Sequence, residues 1–216
     1  MAPRSTLDDL DVVLQTMTRT IVDNAEEFAQ LDAVAGDGDF GFSLRSGFEV
    51  VLADYDTFDR SSVGAILKKI GFVISSKVGG VSGPIWGTAF LRAAAAAGDR
   101  TELTGGDVVE ILRASSTGIK ERGKSDVGDK TLLDALVPAV DALEAALNRG
   151  DSSSAAVQEA ADTAVKAAEN TLGMLAKRGR AAYTGERSRD SVDAGATAVG
   201  VILQAVAAAW RDSRDQ

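Results

Sequence analysis

Apolar residues recur at intervals of three and four along almost the whole chain, a spacing that places them on one face of a helix. The residues of the first stripe are Leu7, Leu10, Val13, Leu14, Met17, Ile21 and Val22. No segment alternates apolar and polar residues as a half-buried strand does. We therefore predict an all-α fold of about eight helices, in a single domain that spans residues 1–216. The seven further stripes lie at roughly 43–53, 62–77, 84–98, 106–122, 131–148, 153–177 and 194–211.

Glycine and aspartate are concentrated in the breaks between these stripes, where they favour turns. The chain contains 36 alanines and only 3 prolines, and both counts favour helix over other structures. Three predicted helices begin with good N-cap residues, namely Ser61 or Ser62, Thr104 and Ser152. Short connections between such helices predict an up-and-down bundle.

The 216-residue chain has no cysteine and no histidine, which narrows its chemistry. Without cysteine there is no disulfide, no zinc–thiolate site and no thiol nucleophile. Without histidine, the commonest general base and the commonest transition-metal ligand are absent. Carboxylates, hydroxyls, Lys, Arg and backbone amides must therefore carry any chemistry. A bound metal is expected to be a hard, oxygen-preferring ion.

The formal net charge of −9 is concentrated near the N-terminus, because residues 1–59 alone carry 13 acidic and 3 basic side chains. This balance argues against nucleic acid as a partner, since contacts to phosphates need a basic surface. No run of about 18 apolar residues is present, so we expect no membrane span. The N-terminus also lacks the pattern of a signal peptide, and we expect a cytoplasmic protein.

Three aspartates lie within eight residues, at Asp32, Asp37 and Asp39. Glycines between them let the backbone turn tightly, so that the carboxylates can converge. Converging carboxylates repel one another unless a cation neutralises them. The spacing is not that of an EF-hand, and Mg²⁺, which combines a few carboxylates with water and phosphate oxygens, is the better match. A solvated acidic turn that caps the next helix is the alternative.

The segment from Val78 to Pro84 is rich in glycine and leads directly into a predicted helix. The N–H groups and the dipole at a helix N-terminus favour phosphate, and Ser82 adds a hydroxyl donor. The segment is not a Walker loop, because no Gly-Lys-Ser or Gly-Lys-Thr follows. A glycine-rich turn that only lets two helices pack closely is the alternative.

Two later segments carry weaker signals. Just before a predicted helix, Asp129 or Thr131 could act as the cap, and Lys130 could meet a phosphate or stay in solvent. A loop of about 15 residues, 179–193, carries Arg180 and two more arginines. Long loops in compact domains are usually functional or disordered. Its arginines could clamp phosphates or remain solvated.

Taken together, the four segments favour phosphate chemistry. Catalytic arrangements of the Ser-His-Asp or Cys-His kind are impossible in this chain, and clustered aspartates beside a glycine-rich loop fit phosphate better than a sugar cleft. Divalent ions that bridge phosphates are a common device in phosphoryl transfer. We therefore predict one Mg²⁺–nucleotide site at one end of a helical domain.

In these same segments the chain resembles the L subunit of dihydroxyacetone kinase, which is equivalent to the C-terminal domain of single-chain dihydroxyacetone kinases. The family pattern Gly-Asp-Gly-Asp-His-Gly appears at Gly36–Gly41, with Phe40 in place of His, and Gly-Gly-x-Ser-Gly-Pro appears at Gly79–Pro84. Gly-Asp-Lys-Thr-Met-Leu-Asp-Ala-Leu appears at Gly128–Leu136, with Leu for Met. Gly-Arg-Ala-Ser-Tyr-Leu-Gly-Glu-Arg-Ser appears in closely similar form at Gly179–Ser188. The resemblance covers nearly the whole chain.

The resemblance implies a barrel of eight antiparallel helices with a nucleotide, ADP or ATP, bound at one end. It implies that Asp32, Asp37 and Asp39 hold two Mg²⁺ ions, which bridge the nucleotide phosphates. Arg180 would complete this catalytic centre. The positions implied to contact the nucleotide are Phe40, Gly41, Ser43, Gly79, Gly80, Val81, Ser82, Gly83, Gly123, Thr131, Leu132, Arg180, Asp193 and Gly195.

The resemblance also implies partners. In the family a separate K subunit binds a small ketose covalently through a histidine, so this chain would supply the phosphoryl group and act only with a K subunit. In one group of the family, an M subunit of the phosphotransferase system rephosphorylates bound ADP, whereas in the other group ATP exchanges freely. The sequence leaves the donor and the identity of the ketose open.

Two positions near the predicted site depart from the family pattern. Phe40 replaces a histidine, and Ala194 replaces the proline of a closing Asp-Pro-Gly-Ala segment. A non-catalytic regulatory or binding module of the same fold, with a protein partner, is therefore the alternative. The three retained aspartates favour the kinase subunit, because an unused acidic cluster carries repulsion without compensation. The nucleotide-binding domain of a fatty-acid-type kinase is a more distant alternative, normally found in a longer chain.

Overall fold

Nine α-helices make up most of the structure, a computed structural model that describes residues 5–214. Two shorter 3-10 segments, Tyr55–Thr57 and Arg180–Asp190, lie between helices, and no strand occurs within the described residues. The all-α prediction is confirmed. The α-helices are α1 (Thr6–Asp23), α2 (Ala25–Ala35), α3 (Phe40–Asp54), α4 (Val63–Lys77), α5 (Ser82–Ala97), α6 (Gly105–Gly123), α7 (Leu133–Arg149), α8 (Ser153–Glu169) and α9 (Ala194–Arg214).

Eight of these helices pack side by side in a closed ring. Each helix from α3 to α8 contacts the next one along the chain, and α1 closes the ring by contacting both α9 and α3. An ion pair of 2.5 Å joins Arg214, in the last turn of α9, to Asp9, in the first turn of α1. These two helices therefore run in opposite directions. The ninth helix, α2, packs mainly on α3 and on the 3-10 segment that precedes α9.

The up-and-down arrangement sorts the connections between the two ends of the ring. Consecutive helices with short connections run antiparallel, so alternate connections lie at the same end. The connections that precede α3, α5, α7 and α9 share one end, which we call the site end. At the opposite end, the N–H of Val63 donates to the carbonyl of Arg100 at 3.0 Å, and the N–H of Leu103 donates to Oγ1 of Thr6 at 3.2 Å.

The core consists of two parts with different composition. Around α3, α4 and α5 it contains large side chains such as Phe48, Ile70 and Ile74, each fully buried. Around α7, α8 and α9 it consists largely of alanines, including Ala160 and Ala164. Small side chains let helix backbones approach closely. The apolar surface that is buried in this way stabilises the folded state by about 25 cal/mol for each Å². The abundant alanine therefore belongs mostly to one half of the ring.

The predicted helix starts agree with the structure where a hydroxyl caps the helix. The side chains of Ser62, Thr104 and Ser152 each accept a hydrogen bond from a backbone N–H in the first turn, at α4, α6 and α8. Thr104 forms a reciprocal capping box with Asp107. These three N-cap predictions are confirmed.

Three predictions about the elements are wrong. No helix was predicted at Ala25–Ala35, yet these residues form α2. The stripe at 153–177 is too long, because α8 ends at Glu169 and Gly173 adopts a φ of +81° soon afterwards. The predicted loop at 179–193 contains 3-10 turns over most of its length, interrupted at Gly185, where φ is +58°.

Within the described residues, α9 is the one helix that is long and apolar enough to cross a membrane, with a mean hydropathy of 1.3 over its best window. The apolar pattern of the sequence predicted no such segment. In the ring α9 packs against α8, α7 and α1, and 39% of that window is buried. The core helix of a globular protein passes the same test of length and composition, so a single such helix is weak evidence for a membrane span.

Candidate functional site

A cavity of about 510 Å³ opens at the site end. Small-molecule sites commonly have volumes in this range. Its walls come from the ends of α2 and α6, from the beginnings of α3, α5 and α9, and from the connections that precede α5, α7 and α9. Eleven of the predicted site residues line it: Asp32, Phe40, Gly80, Val81, Ser82, Gly123, Thr131, Leu132, Arg180, Asp193 and Gly195.

The three predicted aspartates converge beside this cavity. One carboxylate oxygen of each of Asp32, Asp37 and Asp39 lies within 4.8 Å of the others. Asp32 belongs to the last turn of α2, and its Oδ2 accepts a hydrogen bond from the N–H of Gly38 at 2.8 Å. A Cβ on Gly36 would lie only 2.2 Å from Oδ1 of Asp32, so a side chain there would displace the carboxylate.

Arg180 meets the acidic cluster from the other side of the cavity. Its Nη1 pairs with Asp37 and, at 2.9 Å, with Oδ2 of Asp39. Burial, and then the neighbouring Asp32, raise the pKa of Asp39 above its usual value. Asp39 occupies the N-cap position of α3 but makes no capping hydrogen bond with its side chain. The cluster is therefore not explained as a helix cap.

The acidic cluster suits a hard divalent cation. Three carboxylates against one guanidinium leave an excess of negative charge, and carboxylate oxygens are the ligands that Mg²⁺ prefers. No described residue offers sulfur or imidazole there, because the chain has no cysteine and no histidine. The residues present thus fit the magnesium that the family resemblance implies.

The glycine-rich segment forms a second wall. Gly80, Val81 and Ser82 line the cavity, and α5 begins at Ser82. The first N–H groups of a helix have no partner within the helix, and with the helix dipole they favour an anion. The loop therefore presents backbone donors and a hydroxyl to the cavity, and it lies beside Arg180, since a Cβ on Gly80 would be 3.8 Å from Nη2 of that residue.

The two other predicted glycines of this segment, Gly79 and Gly83, do not line the cavity. They lie where the loop packs closely against neighbouring atoms. A Cβ on Gly83 would lie 2.3 Å from the carbonyl oxygen of Val78, which shows how tightly the turn closes. A Cβ on Gly79 would lie 3.4 Å from Oγ of Ser43 on α3. Ser43 is likewise absent from the cavity lining among the described residues.

Phe40 and Gly41 begin α3 and have different environments. The ring of Phe40 lines the cavity and packs against Phe28 of α2, with ring centroids 6.3 Å apart. Gly41 is buried, and a Cβ there would collide with the carbonyl of Ala25 at 1.8 Å. Gly41 thus allows α2 and α3 to pack closely, and it does not line the cavity.

The turn before α7 is organised by Asp134, a buried residue that the sequence analysis did not select. Its carboxylate accepts hydrogen bonds from the N–H groups of Gly128 and Thr131, at 2.5 and 2.7 Å. This places Thr131 and Leu132 at the cavity. Thr131 also accepts from the N–H of Leu133 at 3.2 Å, which resembles a cap.

Lys130 and Asp129 do not occupy the positions suggested from the sequence. Lys130 is only 3% exposed, and its ammonium donates to three backbone carbonyls instead of facing solvent or the position of a phosphate. Asp129 does not cap α7 but pairs with Lys177 at 3.1 Å and with Arg178 at 3.4 Å. The sequence carried no signal of this burial, because lysine is normally an exposed residue.

Asp193 begins the last helix and closes the cavity. Its Oδ2 accepts from the N–H of Ala196 at 2.7 Å, and a Cβ on Gly195 would lie 3.3 Å from Leu132. Burial of the carboxyl group raises the pKa of Asp193 to about 7. The nearby Asp134 adds to this rise, whereas Lys130 opposes it.

Sequence reasoning also missed the apolar wall of the cavity. Ile85, Trp86 and Ile119 line it together with Leu132. These residues belong to the apolar stripes of α5 and α6, and a stripe alone does not distinguish a core residue from a ligand contact. A cavity with an apolar wall at one side and charged groups at the other suits a planar base joined to phosphates.

Comparison with known proteins identifies the family. The family model described as the DAK2 domain matches residues 34–208. A PEP-dependent dihydroxyacetone kinase, ADP-binding subunit DhaL, from Escherichia coli (strain K12) is 38% identical over 188 residues, which is 87% of this chain and 90% of that protein. An L-erythrulose kinase from Pectobacterium atrosepticum is 36% identical over 87% of this chain but only 32% of its own length.

A solved structure agrees with these sequence matches. The dihydroxyacetone kinase from C. freundii, in complex with AMP-PNP and Mg²⁺, superimposes with a TM-score of 0.71 at 25% identity. The superposition covers 96% of this chain and 34% of that one. The chain thus spans nearly all of a separate bacterial subunit and about a third of the longer kinases. The family model matches more than half of the sequence, and the chain belongs to the DAK2 domain family.

Proposed function

We propose that this chain is the nucleotide-binding, phosphoryl-donating subunit of a kinase for dihydroxyacetone or a related small ketose. The observation that carries the proposal is the convergence of Asp32, Asp37 and Asp39 within 4.8 Å at the mouth of a cavity of about 510 Å³. The names of its relatives support the same activity, since they include ADP-binding kinase subunits and erythrulose kinases.

The walls of the cavity suggest how ADP or ATP lies in it. The base would occupy the apolar side, near Ile119, Thr131 and Leu132, with Gly123 leaving room at the end of α6. The phosphates would point toward the beginning of α5, where Ser82 and the backbone of Gly80 and Val81 offer donors. The turn from Asp193 to Gly195 and the ring of Phe40 would close the sides.

The acidic cluster would hold two Mg²⁺ ions, which neutralise charge on the phosphates when they are bound. Asp32 is fixed for this role by the N–H of Gly38. Arg180 contacts Asp37 and Asp39, so its guanidinium would lie beside the metal-bound phosphates and could stabilise charge that develops on a transferring phosphoryl group. Donors aimed at developing charge typically contribute about 2.7–4 kcal/mol each to the transition state.

This chain would act with partners. It contains no histidine, and the ketose would be held by a separate K subunit that docks at the site end, where the mouth of the cavity opens. An M subunit of the phosphotransferase system would rephosphorylate ADP if the donor is phosphoenolpyruvate. We further propose that residues 1–216 form one functional unit and that it works in the cytoplasm, without nucleic acid or membrane as a partner.

The proposal is tested by reconstitution. The purified chain is mixed with a ketose-binding K subunit and dihydroxyacetone, with either ATP or a phosphoenolpyruvate-fed phosphotransferase system as donor. We expect ketose phosphate only when this chain, the K subunit and Mg²⁺ are all present. The rate at which a fluorescent ADP leaves the chain selects the donor, because rapid exchange favours ATP and very slow exchange favours rephosphorylation in place.

A folded chain that transfers no phosphate with either donor, and that binds no nucleotide at millimolar Mg²⁺, would contradict the proposal. The regulatory module would then be the better interpretation, with Phe40 as the mark of lost chemistry. The Asp56→Asn variant, which changes an exposed aspartate outside the site, serves as a matched control for every variant of the acidic cluster.

A further inference from the structure

Lys130 combines two features that are individually uncommon. Its backbone has a φ of +60°, and within the described residues only Lys124 shares a positive φ without being glycine. Its side chain is 3% exposed, although lysine is almost never fully buried. A left-handed backbone conformation and the burial of an ammonium both carry a free-energy cost, so the rest of the fold must hold Lys130 in place.

The ammonium of Lys130 is satisfied by backbone carbonyls. Nζ donates to the carbonyl oxygen of Met174 at 3.2 Å, to that of Ser191 at 2.6 Å and to that of Ser188. An ammonium has three donors, so none is left for a phosphate. Burial lowers the pKa of Lys130, and Asp193 acts in the opposite sense.

All three carbonyls belong to one segment, residues 170–193, which we call the α8–α9 connection. This segment carries Arg180, which meets the acidic cluster, and it ends at Asp193, which closes the cavity. Met174 lies near its beginning, whereas Ser188 and Ser191 lie near its end. A single ammonium therefore joins the two arms of the connection to the turn before α7.

Other contacts tie the same two arms together. The N–H of Gly173 donates to the carbonyl of Arg189 at 3.0 Å, and the N–H of Ala176 donates to Oγ of Ser188 at 3.0 Å. These bonds lie within the connection and do not fix it to the ring. Exposed side chains also attach the connection to the turn before α7, since Lys177 and Arg178 pair with Asp129. Among these attachments, Lys130 is the one whose charged group is buried.

We propose that Lys130 is a positioning residue that holds the α8–α9 connection in its binding-ready conformation before any nucleotide arrives. Lys130 borders the cavity, but its ammonium is engaged by the three carbonyls, so it acts through Arg180 and Asp193. Holding these groups in advance removes the entropic cost of ordering the connection when the ligand binds. The part of the proposal that concerns nucleotide rests on the function proposed above, whereas the part that concerns the connection does not.

The absence of cysteine from the natural chain permits a sharp test. In Lys130→Cys the new thiol is unique, and alkylation with bromoethylamine under denaturing conditions, followed by refolding, restores an ammonium at the length of lysine. Alkylation with iodoethane gives a matched side chain without charge. Lys166→Cys, on the exposed face of α8, is carried through the same treatments as the control.

Amide hydrogen exchange is measured first, without nucleotide. We expect the N–H groups of Gly173 and Ala176 to exchange at least about tenfold faster in Lys130→Cys and in its ethylated form, because hydrogen bonds to a charged group are lost. Aminoethylation should return these rates to those of the wild type. Amides of α4 and α5 should be unchanged in every form, and all Lys166→Cys forms should match the wild type.

Dissociation of a fluorescent ADP is measured next, with Mg²⁺ present. We expect it to be about tenfold faster in the uncharged forms of Lys130→Cys and to return to the wild-type rate after aminoethylation. If the wild type itself binds no nucleotide, the proposed function fails, and the exchange measurement alone still decides the role of Lys130.

Two results would overturn the inference. One is unchanged exchange in the connection when the ammonium is removed. The other is a variant whose whole ring unfolds or exchanges faster, since Lys130 would then stabilise the fold in general instead of positioning the connection. Failure of the aminoethyl group to restore the wild-type rates, in a sample whose Lys166→Cys control refolds normally, would also count against it.

Discussion

Gly36 shows how a single residue shapes the acidic cluster. It follows α2 directly, and its hydrogen atom occupies the space where a Cβ would approach Oδ1 of Asp32 to 2.2 Å. The carboxylate of Asp32 is in turn held by the N–H of Gly38. The glycine between the aspartates is therefore required by the position of a carboxylate, in addition to the turn that the sequence suggested.

We predict that Gly36→Ala weakens Mg²⁺-dependent nucleotide binding by about tenfold or more, because the methyl group displaces Asp32 from the cluster. Titration of ADP in the presence of Mg²⁺ measures the effect. Gly106→Ala is the control, since the nearest atom to a Cβ there is at an ordinary distance of 3.7 Å. Equal affinities in the two variants would show that Asp32 does not need this space.

The raised pKa of Asp193 leads us to expect that the stability of the protein depends on pH. Its pKa is raised to about 7 in the folded chain from an ordinary value of 3.8, so the folded state binds the proton more tightly than the unfolded state. The contribution of Asp193 to the free energy of unfolding is therefore largest below about pH 4, and it declines as the pH rises toward 7. Where the folded state binds one proton more than the unfolded state, the free energy of unfolding falls by about 1.4 kcal/mol for each pH unit.

We predict that Asp193→Asn removes this slope, so that the variant gains stability relative to the wild type as the pH rises from about 4 to about 7. The free energy of unfolding in urea, measured at several pH values, provides the test. Asp56→Asn should follow the wild type throughout. A constant difference between Asp193→Asn and the wild type would mean that Asp193 does not titrate in this range.

The accuracy with which a helix could be predicted depended on whether its N-terminus has a hydroxyl cap. Where a hydroxyl caps a helix, as at Ser62, Thr104 and Ser152, the predicted start agrees with the structure. α2 has only 11 residues, too few for a clear apolar stripe, and its N-cap, Asn24, makes no capping hydrogen bond with its side chain. Its packing depends on a close approach to Gly41, which spacing along the chain does not reveal.

Thr104 allows the stability of a helix to be tested separately from nucleotide binding. It caps α6 at the end of the ring opposite the cavity, and it forms a capping box with Asp107. We predict that Thr104→Ala lowers the free energy of unfolding by about 1 kcal/mol and leaves ADP affinity unchanged. Urea unfolding and nucleotide titration of the same sample test both statements. A loss of affinity would show that the two ends of the ring are coupled.

For the whole molecule, periodicity predicted helices but not how they pair. The ring closes through α1 and α9, the two helices farthest apart in sequence, and no local pattern connects them. The barrel was therefore expected only from the family resemblance. More of the site could be predicted, because short connections place alternate loops at one end. All four selected segments contribute residues to the cavity.

What the sequence could not supply is the side-chain environment at the site end. Lys130 was expected near phosphate or solvent, yet it is buried on carbonyls of the α8–α9 connection. Asp134 was not selected at all, yet it shapes the turn that presents Thr131. Both roles depend on segments more than 40 residues away or on a buried turn, so they appear only when the chain is folded.

The central claim is that the aspartate cluster binds nucleotide through Mg²⁺, and calorimetric titration of ADP tests it most directly. The wild type should bind ADP in the presence of Mg²⁺ and lose binding with EDTA. Asp37→Asn should lose at least about a hundredfold in affinity while keeping the helical circular dichroism of the wild type, and Asp56→Asn should bind normally. A folded Asp37→Asn that binds Mg²⁺ and ADP like the wild type would contradict the claim.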